Sequence, residues 1–150
     1  MQTLPSLSYL IPAVLFFGIG TAPGVVATVI FSMPPAIRLT ALGIQQVSHE
    51  MIEVGQAFGA TSRQILLKIE LPMAMPSIAM GINQTIMLAF SMVVIAGLIG
   101  SGGLGEVIIS GIQRYSLVSA LEAGLTVVFL AIILDRITKS IGAKYRVETD

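Results

Sequence analysis

The sequence predicts an all-α, polytopic transmembrane bundle, and three observations carry that prediction. Met1 to Ile37 contains no charged residue, and neither does Leu71 to Gly105. Each run exceeds the ~20 apolar residues that cross a bilayer. Leu117 to Leu134 holds a single charge, Glu122. Charged residues make up 11% of the chain against the ~25% usual in soluble domains, and 55% of residues are hydrophobic.

Proline and glycine divide these runs into elements. Leu4 to Gly18 reads as a first span. Gly18, Gly20, Pro23 and Gly24 then fall within seven residues, a turn between spans. The second span runs from about Pro23 to Leu39. Pro23 suits a first helical turn, and Pro34-Pro35 is expected to kink the helix or break it near its end. Arg38 marks the exit from the bilayer. A polar stretch to Glu70 follows, carrying His49, Glu50, Glu53, Arg63 and Lys68. Pro76 to Ile99 is the third span, ended by Gly100 to Gly105. Glu106 to Tyr115 is a short amphipathic piece. Leu117 to Leu134 is the fourth span, closed by Asp135-Arg136 and followed by Lys139, Lys144 and Arg146.

Basic residues concentrate in cytoplasmic loops. Arg38, Arg63 and Lys68 lie between spans two and three, and Arg136 to Arg146 follow span four; only Arg114 falls on the other side. The polar loop and the C-terminus are therefore expected in the cytoplasm. The N-terminus lacks the basic start of a signal peptide, and its apolar run is far too long for one. Net charge is zero, so nothing suggests a nucleic-acid partner. With no Cys and one His, thiolate chemistry and a multi-His metal site are excluded, and no cofactor is expected.

The polar loop, about residues 44–75, reads as two short helices. Ser48 is placed to cap the first, with Glu50 in its first turn, where the helix dipole favours an anion. Met51, Val54, Gly55 and Phe58 form one apolar stripe. Gly59 is placed to end that helix in the left-handed conformation. Thr61 and Gln64 form a capping box for the second helix. Ile65, Leu66 and Ile69 give it an apolar stripe, Pro72 is expected to end it, and Pro76 to open the next span.

The spacing of Glu53, Gly59, Ile69, Leu71 and Pro72 resembles the EAA loop of bacterial ABC importer permeases, which is E-A-A, three residues, G, nine residues, I-x-L-P. Here the two alanines are Val54 and Gly55, with Gly55 and Ala57 as the small residues. The runs Phe31-Ser-Met-Pro-Pro35, Gly81-Ile-Asn-Gln-Thr85, Gly102-Gly-Leu-Gly105 and Leu130 to Arg136 are similar to permeases of glycine betaine/proline importers. The likeness covers nearly the whole chain but only the C-terminal portion of the longer family permeases, so a partial or truncated permease is expected. The resemblance implies a type I permease domain over residues 1–150. It also implies that Glu53, Gly55, Ala57, Gly59, Ile69, Leu71 and Pro72 form a coupling helix docking on an ATPase subunit. The further partners implied are a second permease copy, membrane lipid and a periplasmic or lipid-anchored substrate-binding protein in a bacterial inner membrane. Glycine betaine, proline, choline and carnitine all remain open as solutes.

Other residues carry weaker signals. The chain lacks G-x-x-x-x-G-K-[ST], so ATP hydrolysis belongs to a partner and no enzyme activity is expected. Gly100-x-Gly102-x-x-Gly105 matches a dinucleotide fingerprint, but it follows a span-length apolar run and reads as a helix-ending loop; the resemblance puts Gly102 and Gly103 near a translocation path. Asn83, Gln84 and Thr85 fit hydrogen bonding between helices or lining of the path. Glu122 fits the outer interface or a cavity. Gly18, Gly20, Gly24, Gly81 and Gly97 read as packing notches. Glu53 has no nucleophile or metal cluster beside it, which leaves a solvent carboxylate or a docking contact. Two readings compete: a secondary transporter or channel, which predicts a functional ionisable residue within a span, such as Glu122, and a non-transporting permease fragment, which predicts an unstable chain without its missing helices.

Overall fold

The computed structural model describes the backbone of residues 5–147 and the side chains of residues 5–140. Lys144 and Arg146 therefore have side chains outside the described residues, and so does Leu4, the expected start of the first span. Helices run over Leu7–Phe17 (α1), Thr21–Gln45 (α2), His49–Ala57 (α3), Ser62–Ile65 (α4), Leu71–Ala96 (α5), Gly103–Gln113 (α6) and Leu117–Val147 (α7). A π-helical turn, Leu66–Glu70, joins α4 to α5, and a 3-10 turn, Gly97–Ile99, ends α5. No strand occurs among the described residues.

Three helical stretches are long and apolar enough to cross a membrane: Thr21–Gln45, Ser62–Ile99 and Leu117–Ser140. The expected first span is described as α1, eleven residues. At 1.5 Å per residue that is about 16 Å, short of the ~30 Å hydrocarbon core. Only 11–17% of each spanning window is buried within the chain, so most of this apolar surface is left for lipid or other protein.

Three expected helix ends are not ends. Helix α2 continues through Pro34-Pro35 and Arg38 to Gln45. The segment from Ser62 passes Pro72 without a break. Helix α7 runs past Asp135-Arg136 to Val147. Charge marks where the bilayer stops, but Asp, Arg and Lys do not stop a helix. Proline is tolerated in spans where local π or 3-10 adjustment and Ser/Thr side chains re-satisfy the backbone. The π turn provides such an adjustment: Leu71 N–H bonds to the Leu66 carbonyl, five residues back, one residue before Pro72.

The contacts divide the chain into two units. The first is Met1–Pro34 with Thr85–Asp135, the second Pro35–Gln84 with Arg136–Asp150. In the first unit, Leu10, Ala13, Ala27 and Met92 form the core, with Tyr9 and Phe31 edge-to-face at 5.8 Å. Backbones approach closely there. A Cβ on Gly105 would fall on the Val93 carbonyl oxygen, and one on Gly97 would fall on the Gly105 carbonyl. Gly24 meets Ser101, and a Cβ on Gly111 would lie 2.9 Å from Ala120 N. In the second unit, Gly43 lies against Ser77 and Gly81 against Ala36 and Leu39. Small residues thus bring helices together where lipid offers no hydrophobic drive for association. Gly24, Gly81 and Gly97 are packing notches as expected. Gly18 and Gly20 are not: nothing lies within 4 Å of a Cβ at either, and both have positive φ, so they serve the α1–α2 turn.

Candidate functional site

The expected coupling element lies in the second unit. Ser48 occupies the N-cap of α3 with extended backbone, but its side chain makes no capping bond. The end of α3 is a Schellman turn. Gly59 has φ +76°, its N–H bonds to Gln56 O at 2.9 Å, and Ala60 N–H bonds to Gly55 O at 3.0 Å. At the start of α4, Gln64 Oε1 accepts from Thr61 N–H at 2.8 Å, the reach-back half of the expected capping box.

These two turns fold α3 back on α4 and the π turn, and they sort the apolar stripe onto two faces. Gly55 is buried, and a Cβ there would lie 2.7 Å from Ile69 Cδ1 and 3.5 Å from Ile65 Cγ1. Ile65 is 6% exposed. The other face is bare: Met51 is 46%, Val54 52% and Phe58 89% exposed. Ala57 and Glu53 are exposed as well. The Glu53 carboxylate lies 3.8 Å from His49 Nε2, an exposed i,i+4 contact of little energetic weight. The structure therefore brings Gly55 and Ile69 together inside the loop, and leaves Glu53 and Ala57 outward. Leu71 and Pro72 form the start of α5, with Pro72 exposed.

Asn83 is partly buried, and its Oδ1 is the one enclosed side-chain oxygen without a hydrogen-bond partner among the described residues. Gln84 is exposed. Glu122, in the second turn of α7, is exposed near the helix start, as an interfacial position would be. The glycine loop follows a helix, not a strand. Gly100, Gly102 and Gly103 have φ of +65°, +79° and +66°, and Gly102 N–H donates to Glu106 Oε2 at 2.8 Å, tying the loop to the first turn of α6.

Gly102 lines an open cleft of about 230 Å³ in the first unit; its other polar groups, Thr21, Thr28 and Ser101, were not singled out from the sequence. Their signal was present. Gly24, Thr28 and Ser32 recur every fourth residue along α2, with Thr28 Oγ1 donating to Gly24 O and Ser32 Oγ to Thr28 O, both at 2.7 Å. Gly103 is exposed and does not line the cleft.

With this geometry in place, the family can be read. The model of the binding-protein-dependent transport system inner membrane component matches residues 1–147. The chain belongs to that family. It is a multi-pass protein of the inner membrane, with three apolar spanning helices. It is 54% identical over 146 residues to the glycine betaine/proline betaine permease protein ProW of Escherichia coli K12, covering 97% of this chain and 41% of ProW. It is 53% identical to the glycine betaine permease protein OpuAB of Bacillus subtilis 168, covering 96% of this chain and 51% of OpuAB. The chain thus spans about two fifths to one half of the length of these relatives, which are permease subunits. An inward-facing structure of the MetNI methionine ABC transporter superposes with a TM-score of 0.81 at 22% identity, over 96% of this chain and 70% of that one, and shares the fold.

Proposed function

We propose that the chain is the membrane part of an ATP-driven importer for a small compatible solute of the glycine betaine class, with α3–α4 as its coupling element. The observation that carries the reading is the unbroken helical path from Ser62 through the π turn into the span α5. A force on α3–α4 acts on the span through helix backbone, not through a slack loop. Glu53, Gly55, Ala57, Gly59, Ile69, Leu71 and Pro72 build this element. Gly55 and Ile69 hold it together, Gly59 turns it, and Leu71-Pro72 join it to the span. The exposed Met51, Val54 and Phe58 offer an apolar helix face to a groove on the ATPase subunit. ATP hydrolysis belongs to that subunit. A periplasmic or lipid-anchored binding protein delivers the solute, and a second permease copy completes the pathway.

The basic residues support a cytoplasmic position for α3–α4 and for the C-terminus. Two spans, α5 and α7, separate these regions, so the same-side argument does not depend on the short α1. The relatives' names supply the solute class; each is a glycine betaine permease.

The absence of native Cys makes the test direct. A single Cys replacing the exposed Ala57, paired with one in the ATPase groove, is expected to cross-link in membranes with an ATP-dependent yield. Deletion of residues 53–59 is expected to abolish ATPase association. Normal association after that deletion contradicts the reading.

A further inference from the structure

The corner between α6 and α7 holds one side chain outward at a strained position. Gly111 is buried, and a Cβ there would lie 2.9 Å from Ala120 N. Ser116 N–H bonds to Gly111 O at 2.8 Å, and Tyr115 N–H to Ile112 O at 3.2 Å. These contacts fix Tyr115 at φ +56°, the one positive φ outside glycine among the described residues. A tyrosine is strained where glycine would be free, and such strain persists only where the surroundings over-determine it. No contact among the described residues offsets it. Tyr115 is 92% exposed, and its phenol makes no hydrogen bond there. Arg114, beside it, is exposed as well and is the only Lys or Arg of the first unit. Ile112, Leu117, Val118 and Leu121 surround the pair as exposed apolar side chains.

The level of this corner in the bilayer follows from α7. Leu117 to Leu134 separate it from Asp135. At about 1.5 Å per residue they cover roughly 27 Å, close to the ~30 Å hydrocarbon core. Arg114 and Tyr115 therefore fall at one boundary when Asp135 falls at the other. Glu122, the nearest carboxylate along α7, is exposed and lies about 7.5 Å deeper than Leu117. Helix side chains lean toward the N-terminus, so its carboxylate reaches back to the same boundary.

We propose that Arg114 and Tyr115 form a phospholipid-headgroup anchor that fixes the depth of the first turn of α7. The guanidinium takes a lipid phosphate through charge-assisted hydrogen bonds. The tyrosine ring lies at the boundary with its phenol toward the headgroups, while Ile112, Leu117 and Val118 enter the acyl region. The chain has no Trp, so tyrosine is its one side chain with both an aromatic body and a hydroxyl for this position. The locked corner holds the pair outward, and the lipid contact offsets the backbone strain. The proposal needs only a chain that spans the membrane, and it stands apart from the importer reading.

The test uses the full-length permease in its assembled transporter, reconstituted in phospholipid vesicles. With Leu117→Cys as the single cysteine of the permease, a nitroxide on that residue reports depth. It is expected to collide with dissolved oxygen and with a water-soluble nickel chelate to the intermediate degree of the headgroup level. Chelate access as free as in bulk water marks a surface for a soluble partner. Exclusion of both reagents marks a surface covered by protein, whether the rest of the permease or a second copy. Either result overturns the proposal. The second measurement is the rise in Tm when phospholipid is added to the detergent-solubilised transporter. Arg114→Gln and Tyr115→Gly are each expected to lose most of that rise, and Tyr115→Trp to keep it. In lipid-free detergent Tyr115→Gly relieves the backbone, and its Tm is expected to lie above the parent's, so a purely structural role would not produce the loss. An undiminished lipid-dependent rise in either variant overturns the proposal. So does an equal rise with inorganic phosphate alone, which marks an ion site. The depth measurement requires neither substitution, so it decides the matter even where a variant fails to assemble.

Discussion

The same turn closes one helix in each unit, with different residues at its strained position. At the end of α3 the left-handed residue is Gly59, φ +76°, with Ala60 N–H on Gly55 O. At the end of α6 it is Tyr115, φ +56°, with Ser116 N–H on Gly111 O at 2.8 Å. Packing differs between the first unit and α3 too. In the first, Gly97, Gly105 and Val93 meet backbone on backbone. In α3, Gly55 meets side chains alone, the end of Ile69 at Cδ1 and Ile65 at Cγ1. Charge separates them again. Of the eight Lys and Arg residues, only Arg114 belongs to the first unit. An apolar unit with no hydrophobic drive between its helices relies on close backbone contact, which cannot give way. The proposed coupling element, polar enough to lie outside the bilayer, can use side chains that adjust, and it places Gly59 at the turn.

Substitutions can break this contrast, and the largest effect is expected at Gly105. Gly105→Ala drives a methyl into the Val93 carbonyl, which cannot move aside. A loss of about 3 kcal/mol or more is expected, read as a collapse of folded yield and thermal stability in detergent. Next, Phe58→Asp places a charge on the bare face of α3. Loss of ATPase association by about 30-fold or more is expected, with the permease still inserted and folded, read by co-purification. Gly59→Ala meets no neighbour within 4 Å, so its cost is conformational alone, about 1–2 kcal/mol, measured as faster proteolysis of the loop. Tyr115→Gly is the mirror experiment and is expected to stabilise the α6–α7 turn by up to about 1 kcal/mol, visible as a raised Tm. The smallest change is expected from Gly55→Ala. The helix gains roughly 0.5–1 kcal/mol, offset by a small shift of Ile69 Cδ1, so stability and ATPase association should stay close to those of the parent. A Gly55→Ala variant as damaged as Gly105→Ala would show that the coupling element packs as rigidly as the apolar unit.

What the sequence showed plainly was local. Gly59 as a helix stop, the Gln64 reach-back and the three later spans depend on residues close to one another in the chain, and the structure contains each of them. What it concealed depends on partners distant along the chain or on backbone geometry. Pro72 looked like a stop because composition does not reveal a π turn just before it. Gly18 and Gly97 look alike in sequence, yet one provides a turn and the other a backbone contact with Gly105 that a list of glycines does not reveal. Thr28 and Ser32 were passed over because two hydroxyls in a span carry no signal until the fold brings Thr28 to the cleft lined by Ser101.

The π turn at Leu66–Glu70 fits one more residue into its turn than an α-helix would. It therefore acts as a phase offset between the coupling element and the start of α5. Each residue of an α-helix advances the azimuth by about 100° and the axis by about 1.5 Å. Removing one residue from this turn would leave α3–α4 attached to the span but aim Met51, Val54 and Phe58 roughly a quarter-turn away. The direction in which this protein offers that face is thus set by the count of residues before Pro72 as much as by their chemistry.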